Sequence, residues 1–177
     1  MQRLAENILD VTKIEGGTLE LHKERFNIID FISNVLKDYS TELTKEQKDS
    51  VIFSFRPDEK HILVEADSNR IMQVLYNILC NAIKFIKNVY ELVVYVTVQK
   101  IDNDEVIVNI KDNGIGIDLQ VLPKLFTKFA TKSQTGTGLG MFISRSIIEA
   151  HGGKIWAKNN PDTKGATFTF TLPISQQ

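Results

Sequence analysis

A single cysteine, one tryptophan and four prolines in 177 residues set the first limits. Cys80 alone excludes an intrachain disulfide and a cysteine-based metal cluster. It lies in an apolar helical run and reads as an inert core thiol. Charge of one sign is also lacking: 21 Lys and Arg face 22 Asp and Glu, for a net charge of −1. No global field draws in nucleic acid or an anionic membrane, so no nucleic-acid partner is expected and any anion site must be built locally. Neither a basic-then-apolar leader nor a run long enough to span a bilayer is present, which predicts a soluble, reduced, cytoplasmic protein. Hydrophobic content of 42% is ordinary, and the length suits one domain with a full core plus a short appendage. The first residues already follow a helical pattern, which predicts a fragment of something longer.

The chain is organised around Asp112-Asn113-Gly114-Ile115-Gly116-Ile117. Before it, Val106, Val108 and Ile110 alternate with Ile107, Asn109 and Lys111, a period of two that predicts a half-buried strand. A carboxylate at a strand end can accept a hydrogen bond from an exocyclic amine. Gly114 and Gly116 remove the Cβ atoms that would hold a flat ring away. Asn-Gly after a strand is equally an ordinary turn signal.

Leu4, Ile8, Val11 and Ile14 recur at helical spacing until Gly16-Gly17. Such a stripe suits the end of a longer helical hairpin, or a helix folded back on the main domain. Thr18 to Lys23 can make a short strand. Asn27 reads as an N-cap, with Asp30 in the first turn of a helix carrying Ile28, Ile32, Val35, Leu36 and Tyr39. Val51 to Arg56 and His61 to Glu65 are candidate strands on either side of a Pro57 to Lys60 turn. A helix is predicted from Ser68 to about Lys87, with Ile71, Leu75, Ile78, Ala82 and Ile86 apolar. Glu91 to Ile101 and the strand before Asp112 form a hairpin. Leu119 to Phe129 is predicted as a short helix, Met141 to Ala150 as another. Lys154 to Lys158 and Ala166 to Leu172 are the last strands, and no internal repeat is present.

Two features suggest anion and metal chemistry. On the helix from Ser68, Arg70, Gln73, Asn77, Asn81 and Lys84 share one face that contains amides and cations but no carboxylate. Most polar helix faces are only solvated, but amide oxygens can ligate a hard cation and lysine can meet a phosphate. Gly136-Thr137-Gly138-Leu139-Gly140 directly opens a helix, so its backbone N–H groups and the helix dipole can cradle phosphate; a flexible loop is the alternative. The spacing is neither G-x-G-x-x-G after a strand nor a P-loop, which excludes those nucleotide folds.

Taken in order, these segments resemble the boxes of sensor histidine kinases. Asn77-x-x-x-Asn81-Ala82-x-Lys84-Phe85 resembles the N box and Asp112-x-Gly114-x-Gly116 the G1 box. Phe126-x-x-Phe129 is similar to the F box and Gly136 to Gly140 to the G2 box. His151-Gly-Gly and Gly165-Ala-Thr-Phe168 follow as they do in that family. Leu9 to Gly17 is similar to the end of a dimerisation helix. The resemblance covers nearly the whole chain and divides it into residues 1–17, the end of a dimerisation and phosphoacceptor hairpin, and residues 18–177, the catalytic domain.

The resemblance implies an α+β fold of the Bergerat type: a two-layer sandwich in which a mixed sheet carries helices on one face. It implies ATP or ADP as the nucleotide, with Mg²⁺. Asp112 would bind the adenine amine, with Thr167 behind it through water; Asn81 would hold Mg²⁺, with Asn77 assisting, and Lys84 would meet a phosphate. Asn77 and Lys84 would carry the catalytic roles. Phe85, Gly114, Gly116, Ile117, Phe126 and Phe129 would complete the nucleotide pocket. Lys132 would reach the γ-phosphate, and Gly136, Thr137, Gly138, Leu139 and Gly140 would close over the phosphates. The implied partners are the chain's own upstream helices, a second copy in a homodimer, and a response-regulator receiver domain. The whole would be cytoplasmic, or the cytoplasmic part of a membrane-bound sensor.

Departures are small within the boxes: Met141 replaces a usual leucine, the turn after Phe85 lacks glycines, and the lid is short. One departure is large. The family's acceptor histidine precedes an acidic residue, whereas His22 precedes Lys, His61 precedes Ile and His151 precedes Gly. None matches. Two other classes stay open, a hydrolytic ATPase of the same fold and an anti-sigma-type serine kinase or nucleotide-binding module. Against the first, the resembling ATPases place a glutamate at the position of Asn77, and an amide cannot serve as that base.

Overall fold

The alternation in the middle of the chain builds the centre of the molecule. A computed structural model describes residues 2–84, 91–101, 104–131, 136–161 and 163–175. Strands β4 (Leu92–Lys100) and β5 (Glu105–Asp112) form the expected antiparallel hairpin, with Val94 opposite Asp112 and Val98 opposite Val108. Their inward residues, Leu92, Val94, Val96, Val98, Val106, Val108 and Ile110, are all buried. With β2 (Val51–Pro57), β6 (Ile155–Asn159) and β7 (Ala166–Pro173) they make one sheet in the order β2-β4-β5-β7-β6. The β2–β4 pair is parallel and the others antiparallel, so the sheet is mixed. Strands β1 (Glu24–Asn27) and β3 (Leu63–Ala66) pair separately and join the sheet's end through a bridge from Val64 to Ile174.

Three amphipathic helices supply the other layer. Helix α2 (Ile28–Glu42) starts at Asn27, whose Oδ1 accepts from Ile29 N while its Nδ2 donates to Asp30. Helices α4 (Ser68–Lys84) and α5 (Gly140–Ala150) add Ile71, Leu75, Ile78, Ile143 and Ile147 to the same core as Phe168, Phe170 and Leu172. The opposite sheet face is wetter: Tyr95 is 41% exposed and Trp156 39%. Polar residues ladder across it, with Thr169 donating to Asn109 and Asn109 to Thr97. This is the α+β sandwich that was expected. No helix of the described residues is long and apolar enough to cross a membrane.

Several local expectations need correction. Residues 18–23 form no strand; the strand begins at Glu24. The polar stretch after α2 contains a one-turn helix, α3 (Lys45–Lys48), closed by a capping box from Thr44 and Gln47. Helix α4 is described to Lys84, and Ile86 and Lys87 lie outside the described residues. Residues 119–129 are not a helix but turns around a single 3-10 turn, Leu122–Lys124. Pro123 has no N–H to continue such a helix, and Phe129 adopts a positive φ of 61°.

Helix α1 (Gln2–Glu15) also turns a different face inward than its apolar stripe suggests. Leu4 and Ile8 are 47% and 52% exposed, whereas Asn7 and Asp10 are buried. Both oxygens of Asp10 are held by α4: Arg70 donates at 2.8 Å and Gln73 at 2.7 Å. Glu15 pairs with Lys128, which also lies over the Phe142 ring. The helix thus packs on the rest of the chain.

Candidate functional site

Asp112 is the last inward residue of β5, and the period of two puts its carboxylate on the core side of the sheet, 6% exposed. Its Oδ1 accepts from Gly114 N at 2.8 Å and Ala166 N at 3.3 Å. Burial pushes its carboxyl group above the ordinary carboxylate value, and those two N–H groups pull it part of the way back. The loop that follows is tied on every side. Asn113 accepts from Val93 N and donates to Glu91 O, which anchors it to β4. Asn159 accepts from Ile117 N at 2.7 Å and donates to Ile117 O at 2.8 Å. Asn160 donates to Asp112 O at 2.9 Å and accepts from the Thr167 hydroxyl.

The second wall is the polar face of α4. The Asn77 side chain donates to Gly140 O and to Ser144 Oγ, both at 3.1 Å, and so clasps α4 to the first turn of α5. Asn81 and Lys84 follow one and two turns on. The third wall is the glycine-rich segment. Gly138 has a φ of +68°, and a Cβ there would lie 2.5 Å from the carbonyl carbon of Phe129. Only glycine allows the two backbone segments to cross so closely.

A cavity of about 460 Å³ lies between these walls, a size ordinary for a small-molecule site. It is lined by Asn77, Asn81 and Lys84, by Asp112, Gly116 and Ile117, and by Gly136, Thr137, Gly138 and Gly140. The lining therefore combines a buried carboxylate and apolar Val121, Leu125 and Phe168 with amides, a lysine and helix N–H groups. That polarity suits a ligand with a flat amine-bearing ring at one end and phosphates at the other. The described residues contain no group of three or more His, Cys, Asp or Glu that could hold a metal ion.

The chain matches the family of histidine kinase-, DNA gyrase B- and HSP90-like ATPases over residues 66–176. It belongs to this family. The sensor histidine kinase WalK of Bacillus subtilis (strain 168) is 33% identical over 183 residues, which cover 100% of this chain and 29% of WalK. The chain thus spans under a third of that relative's length. The catalytic domain of the histidine kinase ThkA has 34% identity and a TM-score of 0.73, covering 88% of this chain and 96% of that one. ThkA in complex with the response regulator protein TrrA aligns at 31% identity and a TM-score of 0.74, over 98% of this chain and 49% of that chain. The chain is therefore an ATP-binding domain with the fold of the histidine kinase catalytic domain.

Within this ATPase-family site, not every anticipated residue reaches the cavity. Thr167 does not stand behind Asp112: the strand alternation turns it to the opposite sheet face, where it donates to Asn160, and Ala166 and Phe168 take the cavity side. Gly114 supports Asp112 rather than lining the cavity, its absent Cβ falling 2.9 Å from the Asp112 Oδ1. Leu139 is buried in the core and Phe126 packs against it, while Phe129 is 72% exposed. Phe85 and Lys132 lie outside the described residues. Sequence reading missed Asn159 and Asn160. Two adjacent amides just before a Pro-Asp turn look like loop composition, and the partners that tie them to the site, Ile117 and Asp112, are more than 40 residues away in the chain.

Proposed function

We propose that the chain is the catalytic domain of a two-component sensor histidine kinase, transferring the γ-phosphoryl group of ATP to a histidine on a helical hairpin. The observation that carries this reading is the meeting, in one cavity, of Asp112 with Asn77, Asn81, Lys84 and the glycine-rich entry to α5. In it, Asp112 accepts from the adenine amine, and its raised proton affinity is kept in check by the N–H groups of Gly114 and Ala166. Lys84 and the N–H groups from Gly136 to Gly140 receive the phosphates.

The donor set fits Mg²⁺, which favours oxygen ligands and keeps much of its coordination for water and phosphate. Asn81 would hold it, and Asn77, whose nitrogen is committed to Gly140 and Ser144, would assist through Oδ1. Bound there, the ion would neutralise phosphate charge. Among the described residues, the carboxylates lining the cavity are Asp112 and Asp118, both in the segment from the end of β5 onward and neither on α4 or in the glycine-rich segment. The polar face of α4 offers the amides of Asn77 and Asn81 and no carboxylate as a base for water, which favours transfer over hydrolysis.

The response regulator in the ThkA complex supports a receiver domain as the downstream partner. Homodimerisation through the hairpin and a cytoplasmic setting belong to the same reading. Calorimetric titration tests it: ATP and ADP should bind with Mg²⁺ and GTP should not. No adenine nucleotide binding would overturn it.

A further inference from the structure

Asn7 on α1 is 9% exposed, yet among the described residues its side-chain amide has no hydrogen-bond partner. Burying an amide without a partner is costly, and fully sealed polar side-chain atoms without partners are absent among the described residues. The amide is therefore not sealed in. It lines the same cavity as Asn77, Asn81 and the glycine-rich segment, as does Leu4 one turn before it.

The packing of α1 on α4 brings it to that cavity. Asp10 is pinned to Arg70 and Gln73, the first turns of α4. Leu4 and Asn7, on the turns of α1 before Asp10, line the cavity together with Asn77, Cys80 and Asn81 of α4. Asn7 and Asn77 line this cavity together and also border the neighbouring hollow that holds Asp10, Arg70 and Gln73, so Asn7 lies near the turn of Asn77, whose side chain donates to Gly140 O. Asn77 and the glycine-rich segment form the polar wall of the cavity.

We infer that Asn7 is a nucleotide-binding residue, its Nδ2 donating to the polyphosphate, and that Asp10 is the positioning residue that holds it there. The inference rests on the ATP-binding reading of the cavity. A consequence is that α1 docking and nucleotide binding favour one another, since each supplies part of the other's contact surface, and such coupling is reciprocal. A helix outside residues 66–176, the part matched by the ATPase family, would then complete the phosphate end of the site.

The test uses the whole chain and calorimetric affinities for ATP, ADP and adenosine, with a folding check by circular dichroism. Asn7→Ala should weaken ATP and ADP about tenfold, the scale of one hydrogen bond to a charged oxygen, and leave adenosine unchanged. Asn7→Asp, which removes the donors and adds a negative charge, should weaken ATP further. Asp10→Ala should copy the loss, and adding Asn7→Ala to it should then cost nothing more, because the amide is no longer held in place.

Equal loss for adenosine would mean a structural role and would overturn the assignment. So would tighter Mg²⁺-ATP binding by Asn7→Asp, which would make the side chain a metal ligand. ATP affinity unchanged in both single variants would overturn the inference alone. A parent chain that binds no nucleotide at all would instead sink the reading of the cavity on which it rests.

Discussion

A Cβ on Gly165 would lie 2.0 Å from the carbonyl oxygen of Asp112, so the strand β7 entry and the end of β5 touch backbone to backbone. Gly165 also has a φ of +98°, a conformation that side chains rarely adopt. Two demands coincide at one residue: the chain must turn there, and Ala166 N must reach Asp112 Oδ1.

Gly165→Ala is therefore expected to shift Asp112 as well as strain the turn. Stability should fall by roughly 2 kcal/mol or more, as for other substitutions at strained, crowded sites. Adenine nucleotide affinity should fall with it, even where the variant remains folded. Urea unfolding and calorimetry on the same preparation check both halves; full affinity in a folded variant would mean the contact does not position Asp112.

Asp112→Asn should separate binding from folding. Asparagine can still accept from Gly114 N and Ala166 N, but it presents an NH₂ where an adenine amine needs an acceptor. Affinity should drop on the order of a hundredfold or more. Stability should not. A buried carboxyl with a raised folded pKa binds its proton more tightly folded than unfolded, so its contribution is present at low pH and is lost as pH rises through the folded pKa. At neutral pH the variant should thus equal or exceed the parent in urea midpoint, and a clear loss would show the charge to be structurally required.

His151 supplies the opposite pH dependence. Its Nδ1–H donates to Ile147 O at 2.8 Å, so Nε2 is the acceptor that receives Asp67 N–H at 2.9 Å. Burial holds its pKa below the ordinary histidine value; nearby Lys23 pushes the same way, against Ile147 O and Asp67. The unfolded chain takes up a proton near pH 6.5 and the folded one only lower. Stability from this residue is present above that value and is lost as pH falls through it toward the folded pKa. The urea midpoint should decline from pH 7.5 to 5.5, and His151→Gln should flatten the decline. An equal slope in both proteins would remove His151 from the account.

Much of this could be read from the chain because its signals are local. The alternation of Val94, Val96 and Val98 against Val106, Val108 and Ile110 required a hairpin with one dry face. The Asn27 cap and the glycine run before α5 marked helix starts by residues adjacent to them. What escaped depends on distant partners. Nothing near Asn159 shows that it will bond Ile117, and nothing in Leu4 and Ile8 shows that Asp10 will outcompete them for the buried face by finding Arg70 and Gln73. Thr167 was misplaced for a narrower reason: Asp112 ends its strand facing the core, and its cross-strand neighbours on that face are Ala166 and Phe168.

The metal is tested by Asn81→Ala. A hard cation needs the amide oxygen, so ATP affinity in the presence of Mg²⁺ should fall about tenfold while metal-free affinity changes little. Equal losses in the two conditions would mean that Asn81 only shapes the cavity.

Transfer and hydrolysis part on the last prediction. This chain should bind ATP but neither label itself on histidine nor release phosphate quickly. His151 is buried with both ring nitrogens engaged, at Ile147 O and Asp67 N, so it cannot present a nucleophile. Asn77 spends its nitrogen holding α5 and offers no carboxylate to water, a group that contributes about 10²–10⁴-fold when present. Radiolabelled ATP should therefore leave the chain unlabelled. Supplying a helical hairpin that bears a histidine followed by an acidic residue should yield a product stable in base and labile in acid, as a phosphoramidate is. Acid-labile label on this chain alone would overturn the exclusion of its own histidines. Brisk phosphate release, reduced by Asn77→Ala and indifferent to the added hairpin, would make the domain a hydrolase instead.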